Sequence, residues 1–329
     1  MKRMVLAVGG NSLIRAGEKG TAHEEIANAR RIAAQIIGLI RDGYRIVLTH
    51  GNGPQVGAEL LSHERTTNQA PAYPLDVCDA ATQGEIGYLL QQALDNEVKL
   101  AGLRVPVVAL VTQCVVSLGD PSMRHPTKPI GPFYLRSEAE ERKRLFGWEL
   151  IEDAARGYRR VVPSPEPVEI IELDVIRDAM ERGVFVIACG GGGIPVAWVN
   201  HKLQGVEAVI DKDLTSALLA SKLGAELFVI ATDTDSVYLD YKKSTQRPLE
   251  RVSTAELASY ARAGHFPPGN MGPKIESILQ FMRGGGAEAI ITSCDTLCAA
   301  VAGKAGTRII SDPSSPSPDP RTGFEVSSG

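Results

Sequence analysis

A chain of 329 residues with 43% hydrophobic and 22% charged side chains has the composition of an ordinary globular protein, long enough for one large α/β domain or two modest ones. Lysine and arginine number 35 against 39 acidic residues, and a net charge of −4 argues against a nucleic-acid partner while leaving room for a few lysines around a small anion. No segment has the length of a membrane span, and five scattered cysteines, an odd set, do not suggest a disulfide framework, so the expected setting is the cytoplasm with reduced thiols.

Apolar β-type runs alternate with longer helical patterns, which predicts a mainly parallel sheet with helices on both faces. The first run, Met4–Val8, is short and enters glycine, so it reads as a buried strand rather than a signal peptide. A helix follows over "AHEEIANARRIAAQIIGLIRDG", with Ile26, Ile32, Ile36, Ile37 and Ile40 as its apolar stripe and Thr21 with Glu24 as a capping box. Arg45–Leu48 is the second strand. A long helix over Asp76–Ala101 leads to a strand at Val105–Val111.

The rhythm breaks between Ser117 and Pro167. "SLGDPSMRHPTKPIGPFYL" is rich in Pro and Gly, a short charged helix is expected at Ser137–Leu145 with Ser137 and Glu140 as its capping box, and "WELIEDAARGYRRVVPSPEP" reads as short strands and turns. This segment is expected to form a lid-like subdomain projecting from the sheet, with Trp148 and Tyr158–Arg160 supporting it. Strands are expected again at Val184–Ala188, Glu226–Ala231 and Ala287–Thr292, and helices after Asp211 and over Gly272–Arg283. From Ser311 the chain turns to a Pro/Ser-rich tail, expected to be disordered or loosely attached. Residues 1–310 are read as one domain.

Two segments have the strand–glycine–helix order that can cradle an anion: "LAVGGNSL", with Gly9, Gly10 and Asn11, and "IACGGGGIP", with Gly190 to Gly193. A tight strand exit explains one such pair equally well; two in one α/β chain favour phosphate. Neither is a P-loop nor a dinucleotide fingerprint. A third loop, "THGNGPQVG", turns at Gly51, Asn52 and Gly53 and offers Pro54 as a first helical residue. The Asn52 amide suits a small planar polar ligand, and His50 is a candidate base that nothing nearby in sequence activates.

Lys128 sits between Pro126 and Pro129, Lys212 between Asp211 and Asp213 at a helix start, and Lys274 at the first turn after "PPGNMGPK". Any one of them reads as a solvated lysine. Three at junctions of Gly/Pro loops with regular structure point to phosphoryl transfer, which needs positive charge spread around the moving group. Asp211 or Asp213 would then orient the lysines or hold Mg²⁺. "ATDTDSVYLDY" leaves the fifth strand, where Asp233 and Asp235 either face a nucleotide or cap a turn. Cys294 and Cys298, one helical turn apart, are either metal or redox residues or plain core cysteines, the commoner case.

The strings "GGNSL", "THGNGPQVG", "GEIGYLLQQAL", "PTKPIGPFY", "GYRRVVPSPEP", "ACGGGGIPV", "GVEAVIDKDLTSALLA" and "NMGPKIE" run in one order from residue 5 to about residue 310. Together they resemble the carbamate kinases of the amino-acid kinase superfamily. The resemblance implies a three-layer α/β/α sandwich with a protruding subdomain, a homodimer, and reversible Mg²⁺-dependent transfer between ATP and carbamate. It also implies a place in arginine or related nitrogen catabolism, run toward ATP synthesis. Carried over by motif, Gly9, Gly10, Asn11, Gly51, Asn52 and Gly53 would contact the transferring group, and Gly190, Gly191 and Gly192 would pass close to it. Lys128 would reach in from the subdomain toward carbamate. Lys212 and Lys274 would neutralise the phosphates, with Asp213 or Asp211 as organiser and no metal held by protein side chains alone. Asp211, Thr232, Asp233, Asp235, Tyr238, Met271 and Gly272 would line the nucleotide side. Ser12 and His125 depart from the residues expected there, Ala and Asn.

Overall fold

The computed structural model describes residues 1–312 apart from 16, 67–69, 153–156 and 267–270, and of Asn11 and Pro132 only the backbone. The tail expected from Ser311 therefore falls, beyond Asp312, outside the described residues.

Eight strands form the central sheet: β1 (Lys2–Val8), β2 (Tyr44–His50), β3 (Val107–Ala109), β4 (Phe185–Ile187), β5 (Leu227–Thr232), β6 (Arg251–Ser253), β7 (Glu288–Ser293) and β8 (Thr307–Ile310). Their spatial order is β6-β8-β7-β5-β1-β2-β4-β3, and every pairing is parallel except β7 with β8. All the strands expected from the apolar runs are here. The run Val105–Val111 is cut to β3, because the chain leaves this sheet and Gln113–Val116 enters another.

Alternate residues of each central strand enter different cores, as the period of two requires. Val5, Ala7, Val47, Phe228, Ile230 and Ala289 face one side, against helices α4 (Lys212–Leu223), α5 (Met271–Arg283) and the helix Leu173–Glu181. Met4, Leu6, Leu48, Val229 and Ile290 face the other, against α1 (Ala22–Arg41) and α3 (Leu75–Leu100). The result is a three-layer α/β/α sandwich with a mainly parallel sheet.

Helix α1 starts at the expected capping box: the Thr21 N–H donates to Glu24 at 2.8 Å and the Glu24 N–H returns a bond to Thr21 Oγ1. The charged helix of the lid segment spans Arg136–Phe146 rather than Ser137–Leu145. Its capping residue is Glu138, which accepts from the Leu135 N–H at 2.7 Å, while Glu140 pairs with Arg136 on the exposed face. Around it Lys128–Tyr134, Tyr158–Val162 and Leu150–Glu152 form a three-stranded antiparallel sheet, and Trp148 packs under the Arg160 guanidinium. This unit leans on helix α2 (Gly53–Thr66): Tyr134 and Arg142 both bond Glu64.

Strands Gln113–Val116 and Pro167–Ile170, which bracket the unit, pair with each other in a four-stranded sheet completed by Ile194–Val199 and Lys202–Gly205. Among the described residues no helix is long and apolar enough to cross a membrane.

On one face of the sheet an aromatic pair joins strand to helix, where Phe228 of β5 meets Phe281 of α5 edge to face at 5.5 Å. Both rings are fully buried. Phe228→Ala should cost about 3–5 kcal/mol of unfolding free energy, read by denaturant titration; a loss below about 1 kcal/mol would contradict a close-packed interface.

Candidate active site

The first half of the sheet lies to one side of β1 and the second half to the other, so the strand order reverses between β1 and β5. In open α/β sheets, ligands bind at the carboxyl ends of strands beside such a reversal. Three glycine loops leave the sheet there. At the end of β1 the Gly9 N–H donates to the Ala231 carbonyl at 2.9 Å, and Gly10–Ser12 make a single 3₁₀ turn. At the end of β2 the Gly51 N–H donates to Val8 at 3.0 Å. These two loops touch backbone to backbone: a Cβ on Gly51 would sit 2.8 Å from the Gly10 nitrogen. Beyond β4, Gly190–Gly193 fold into a buried turn with Gly191 at φ +68°.

The lysines converge on two carboxylates. Asp211 caps α4, its Oδ1 accepting the Asp213 N–H at 2.9 Å, and its Oδ2 accepts from Lys128 Nζ at 3.0 Å. Asp213 takes Lys212 on one oxygen and Lys274, 3.3 Å away, on the other. Burial alone would raise Asp213, but the ammonium groups of Lys212 and Lys274 outweigh it and hold the carboxyl below the usual range. Lys128, Lys212 and Lys274 come from three separate elements, so only the tertiary fold brings them together. Lys128 also borders a cavity of about 480 Å³ with Gly53, Pro54, Gly57 and Arg159, between α2 and the lid sheet.

Asn52 is arranged differently from the sequence expectation. Its Nδ2 donates to both Asp79 and Thr82 Oγ1, the latter at 2.8 Å, so neither amide hydrogen is free for a ligand. What the Asn52–Gly53 segment offers a ligand is main chain. His50 is no base for this site: it is 2% exposed, with its Nδ1–H on the Gly51 carbonyl at 3.2 Å, and burial pushes the imidazole down to about 4.

The glycine run packs over these groups. A Cβ on Gly191 would lie 2.6 Å from Asp79 Oδ1, one on Gly190 would strike the His50 ring, and one on Gly192 would fall 2.6 Å from the Ile210 carbonyl. Crowding is thus sufficient reason for Gly at each position.

The residues expected on the nucleotide side follow β5 and open α5. Thr232 is buried and donates to Asp233 at 3.0 Å, and Tyr238 donates to Asp235 at 2.9 Å, on a strand, Val237–Leu239, that pairs with Arg247–Leu249. Met271 and Gly272 are half-buried at the start of α5. Ser12, Thr232 and Asp233 share a cavity of about 450 Å³ with Arg15, Arg31 and Cys294. The expected role of the Asn11 side chain lies outside the described residues.

Cys294 and Cys298 are free thiols, Cys298 Sγ donating to the Gln35 carbonyl at 3.0 Å, and among the described residues no cluster of His, Cys, Asp and Glu could hold a metal. Sequence reasoning missed Asp79, Thr82 and Gln83. They share one face of α3 at i, i+3 and i+4, and Gln83 bonds the Gly190 carbonyl at 2.8 Å and the Thr112 carbonyl and N–H. The available signal was polar residues at buried positions of an apolar stripe, beside Cys78, Ile86 and Leu90.

The sequence pattern of the amino acid kinase family matches residues 2–293. The carbamate kinase of Thermococcus kodakarensis is 48% identical over 314 residues, covering 94% of this chain and 99% of that one. The carbamate kinase-like protein YahI of Escherichia coli is 44% identical over 313 residues, 93% of this chain and 98% of its own. Among solved structures, carbamate kinase from Giardia lamblia bound to AMP-PNP superposes with a TM-score of 0.90 at 42% identity, over 94% and 99% of the two chains.

Two outcomes follow from the packing around Asn52. Gly191→Val should unfold the chain or lower its melting temperature sharply, because the clash adds to strain at positive φ; a variant with wild-type melting temperature would show the turn to be slack. Burial pushes the Asp79 carboxyl up to about 7, with the Asn52 bond opposing and Asp76 adding. The unfolded chain therefore releases this proton from about pH 4 while the folded chain keeps it to about pH 7, so the contribution to stability is fully present below about pH 4 and is lost progressively as pH rises to 7. The melting temperature of Asp79→Asn, relative to wild type, should be more favourable at pH 8 than at pH 5; a constant difference would show that Asp79 does not titrate in this window.

Proposed function

The chain belongs to the amino acid kinase family, among its carbamate kinases, and on that footing we propose that it moves a phosphoryl group reversibly between ATP and carbamate, giving ADP and carbamoyl phosphate. The observation that carries this reading is the convergence of Lys128, Lys212 and Lys274 on Asp211 and Asp213, beside loops whose main chain reaches the carboxyl ends of β1 and β2. In-line transfer asks for positioning and for charge around the equatorial and bridging oxygens, and lysine supplies that charge. The acceptor oxygen of carbamate is already anionic, so a strong general base is not needed, in keeping with a neutral, buried His50.

In this reading Gly9, Gly10, Asn11, Gly51, Gly53 and the main chain of Asn52 face the transferring group, with Gly190–Gly192 packed behind the loop that holds it. Lys128 leaves Asp211 for the acceptor in the cavity between α2 and the lid sheet. Lys212 and Lys274 stabilise the phosphates, held in place by Asp213. The nucleotide lies along Asp211, Thr232, Asp233, Asp235, Tyr238, Met271 and Gly272.

Mg²⁺ belongs to the proposal as a partner of the nucleotide. Both oxygens of Asp213 are engaged by lysines and Asp211 Oδ1 by main chain, which leaves at most the Asp211 oxygen that Lys128 vacates, so phosphate oxygens and water would supply most of the ion's ligands, which is its common habit. When bound it would add further neutralisation of phosphate charge.

A homodimer is proposed too, with exposed Tyr88, Val111 and Trp198 as apolar surface available to it, as are a lid spanning about residues 117–167 of a single 1–310 domain and a cytoplasmic site of action. Carbamoyl phosphate is a mixed anhydride, which favours ATP synthesis as the working direction, in arginine or related nitrogen catabolism.

A coupled assay for ATP formed from carbamoyl phosphate, ADP and Mg²⁺ tests the reading, with a panel of other small carboxylates and phosphates as competing acceptors. Lys128→Ala should lower turnover about 100-fold or more. Its melting temperature should fall only slightly, since the Lys128–Asp211 pair is partly exposed and Asp211 keeps its bond to the Asp213 N–H. Near-normal ATP formation by that variant would sink the assignment.

A further inference from the structure

Asn52 stands at the N-cap of α2: its carbonyl accepts the first intrahelical bond, from the Val56 N–H at 2.9 Å. Asparagine is among the best capping residues because its side-chain oxygen satisfies a first-turn N–H. Here Pro54 has no N–H to give, which leaves Gln55 as the donor a side-chain cap would take. Yet the Asn52 side chain turns the other way, donating through Nδ2 to Asp79 and Thr82. Thr82 is fixed in turn as an acceptor, because its hydroxyl hydrogen goes to the Asp79 carbonyl at 2.8 Å. Asp79 is 1% exposed, and the missing side chain of Gly191 provides the space where Asn52 and Asp79 meet. The uncapped first turn of α2 also walls the cavity that Lys128 borders.

We propose that Asp79 is a positioning residue for phosphoryl transfer: it draws the Asn52 side chain off the start of α2 and so leaves the Gly53 and Gln55 N–H groups open to the anionic end of carbamate or carbamoyl phosphate. The inference rests on the kinase reading above. It assigns a task to a buried carboxylate that touches no substrate, and it explains why a strong capping residue occupies a cap position without capping. Loss of the carboxylate frees Asn52 to swing onto its own helix, where its oxygen competes with the substrate for the Gln55 N–H.

Steady-state kinetics on Asp79→Ala, Asp79→Asn and Asp79→Ala/Asn52→Ala test it, with melting temperatures measured alongside and Asp79→Ser in reserve should the alanine variant not fold. Asp79→Ala should raise KM for carbamoyl phosphate about fivefold, the hold of a helix cap on its N–H group, with KM for ADP within about twofold of wild type. Asp79→Asn, which keeps an oxygen facing Asn52, should stay near wild type, and removing the Asn52 side chain from Asp79→Ala should bring KM for carbamoyl phosphate back down. A purely structural role would instead raise both KM values together, leave Asp79→Asn impaired and make the double variant worse; any of these overturns the proposal. A crystal structure of Asp79→Ala reads the same point without turnover: Asn52 Oδ1 on the Gln55 N–H supports it, and an Asn52 still bonded to Thr82 refutes it. If wild type forms no ATP from carbamoyl phosphate and ADP, the kinase reading fails while this structural comparison still decides the role of Asp79.

Discussion

Positive charge gathered from three separate elements is the constraint around which the carboxyl edge of the sheet is arranged. An unpaired ammonium out of water is costly, and three lysines close together repel one another besides. Asp213 answers this by lying buried between Lys212 and Lys274, and Asp211 by holding Lys128 while it caps α4. Each carboxylate thus serves a local need and a long-range one. The Asp211 cap starts the helix that carries Lys212, and the same side chain holds a lysine delivered from the antiparallel unit far along the sequence.

Such an arrangement needs main chain close to main chain, which explains where the glycines fall. Gly51 lets the second loop lie on the first, and Gly191 leaves the volume in which Asn52 and Asp79 meet. These are packing reasons, and they are compatible with ligand contact on the opposite side of the same loops. The expectation of ligand contact at Gly190–Gly192 rests on their place at a strand exit, on a second glycine turn and three loop-edge lysines elsewhere in the chain, and on the family resemblance. The structure adds what position could not show: their Cα hydrogens point at His50, Asn52, Asp79 and Ile210.

The layered fold was legible because its signals are local. Apolar runs between turn residues mark buried strands, and the isoleucine stripe with Thr21 and Glu24 marks α1. The short strands β6, at the edge of the sheet, and β8, beside it, carried no such signal, nor did Gln113–Val116, which merges in sequence with β3 but belongs to another sheet. In the site, glycine loops and loop-edge lysines stood out by composition. Asp79, Thr82 and Gln83 did not, because a polar group on a long helix reads as a solvated face until its burial is known. The same limit explains the inverted reading of Asn52: residue type predicts a hydrogen bond, whereas only the fold says which partner takes it.

The antiparallel unit leaves the body of the molecule at Val116 and returns at Pro167, residues that face each other across one pair of hydrogen-bonded strands. Chain ends held side by side make an insertion point at which the intervening length is nearly irrelevant, since closing a longer excursion adds loop entropy only logarithmically. The antiparallel unit is therefore a replaceable module: its size and its residues can change while the central sheet keeps its register.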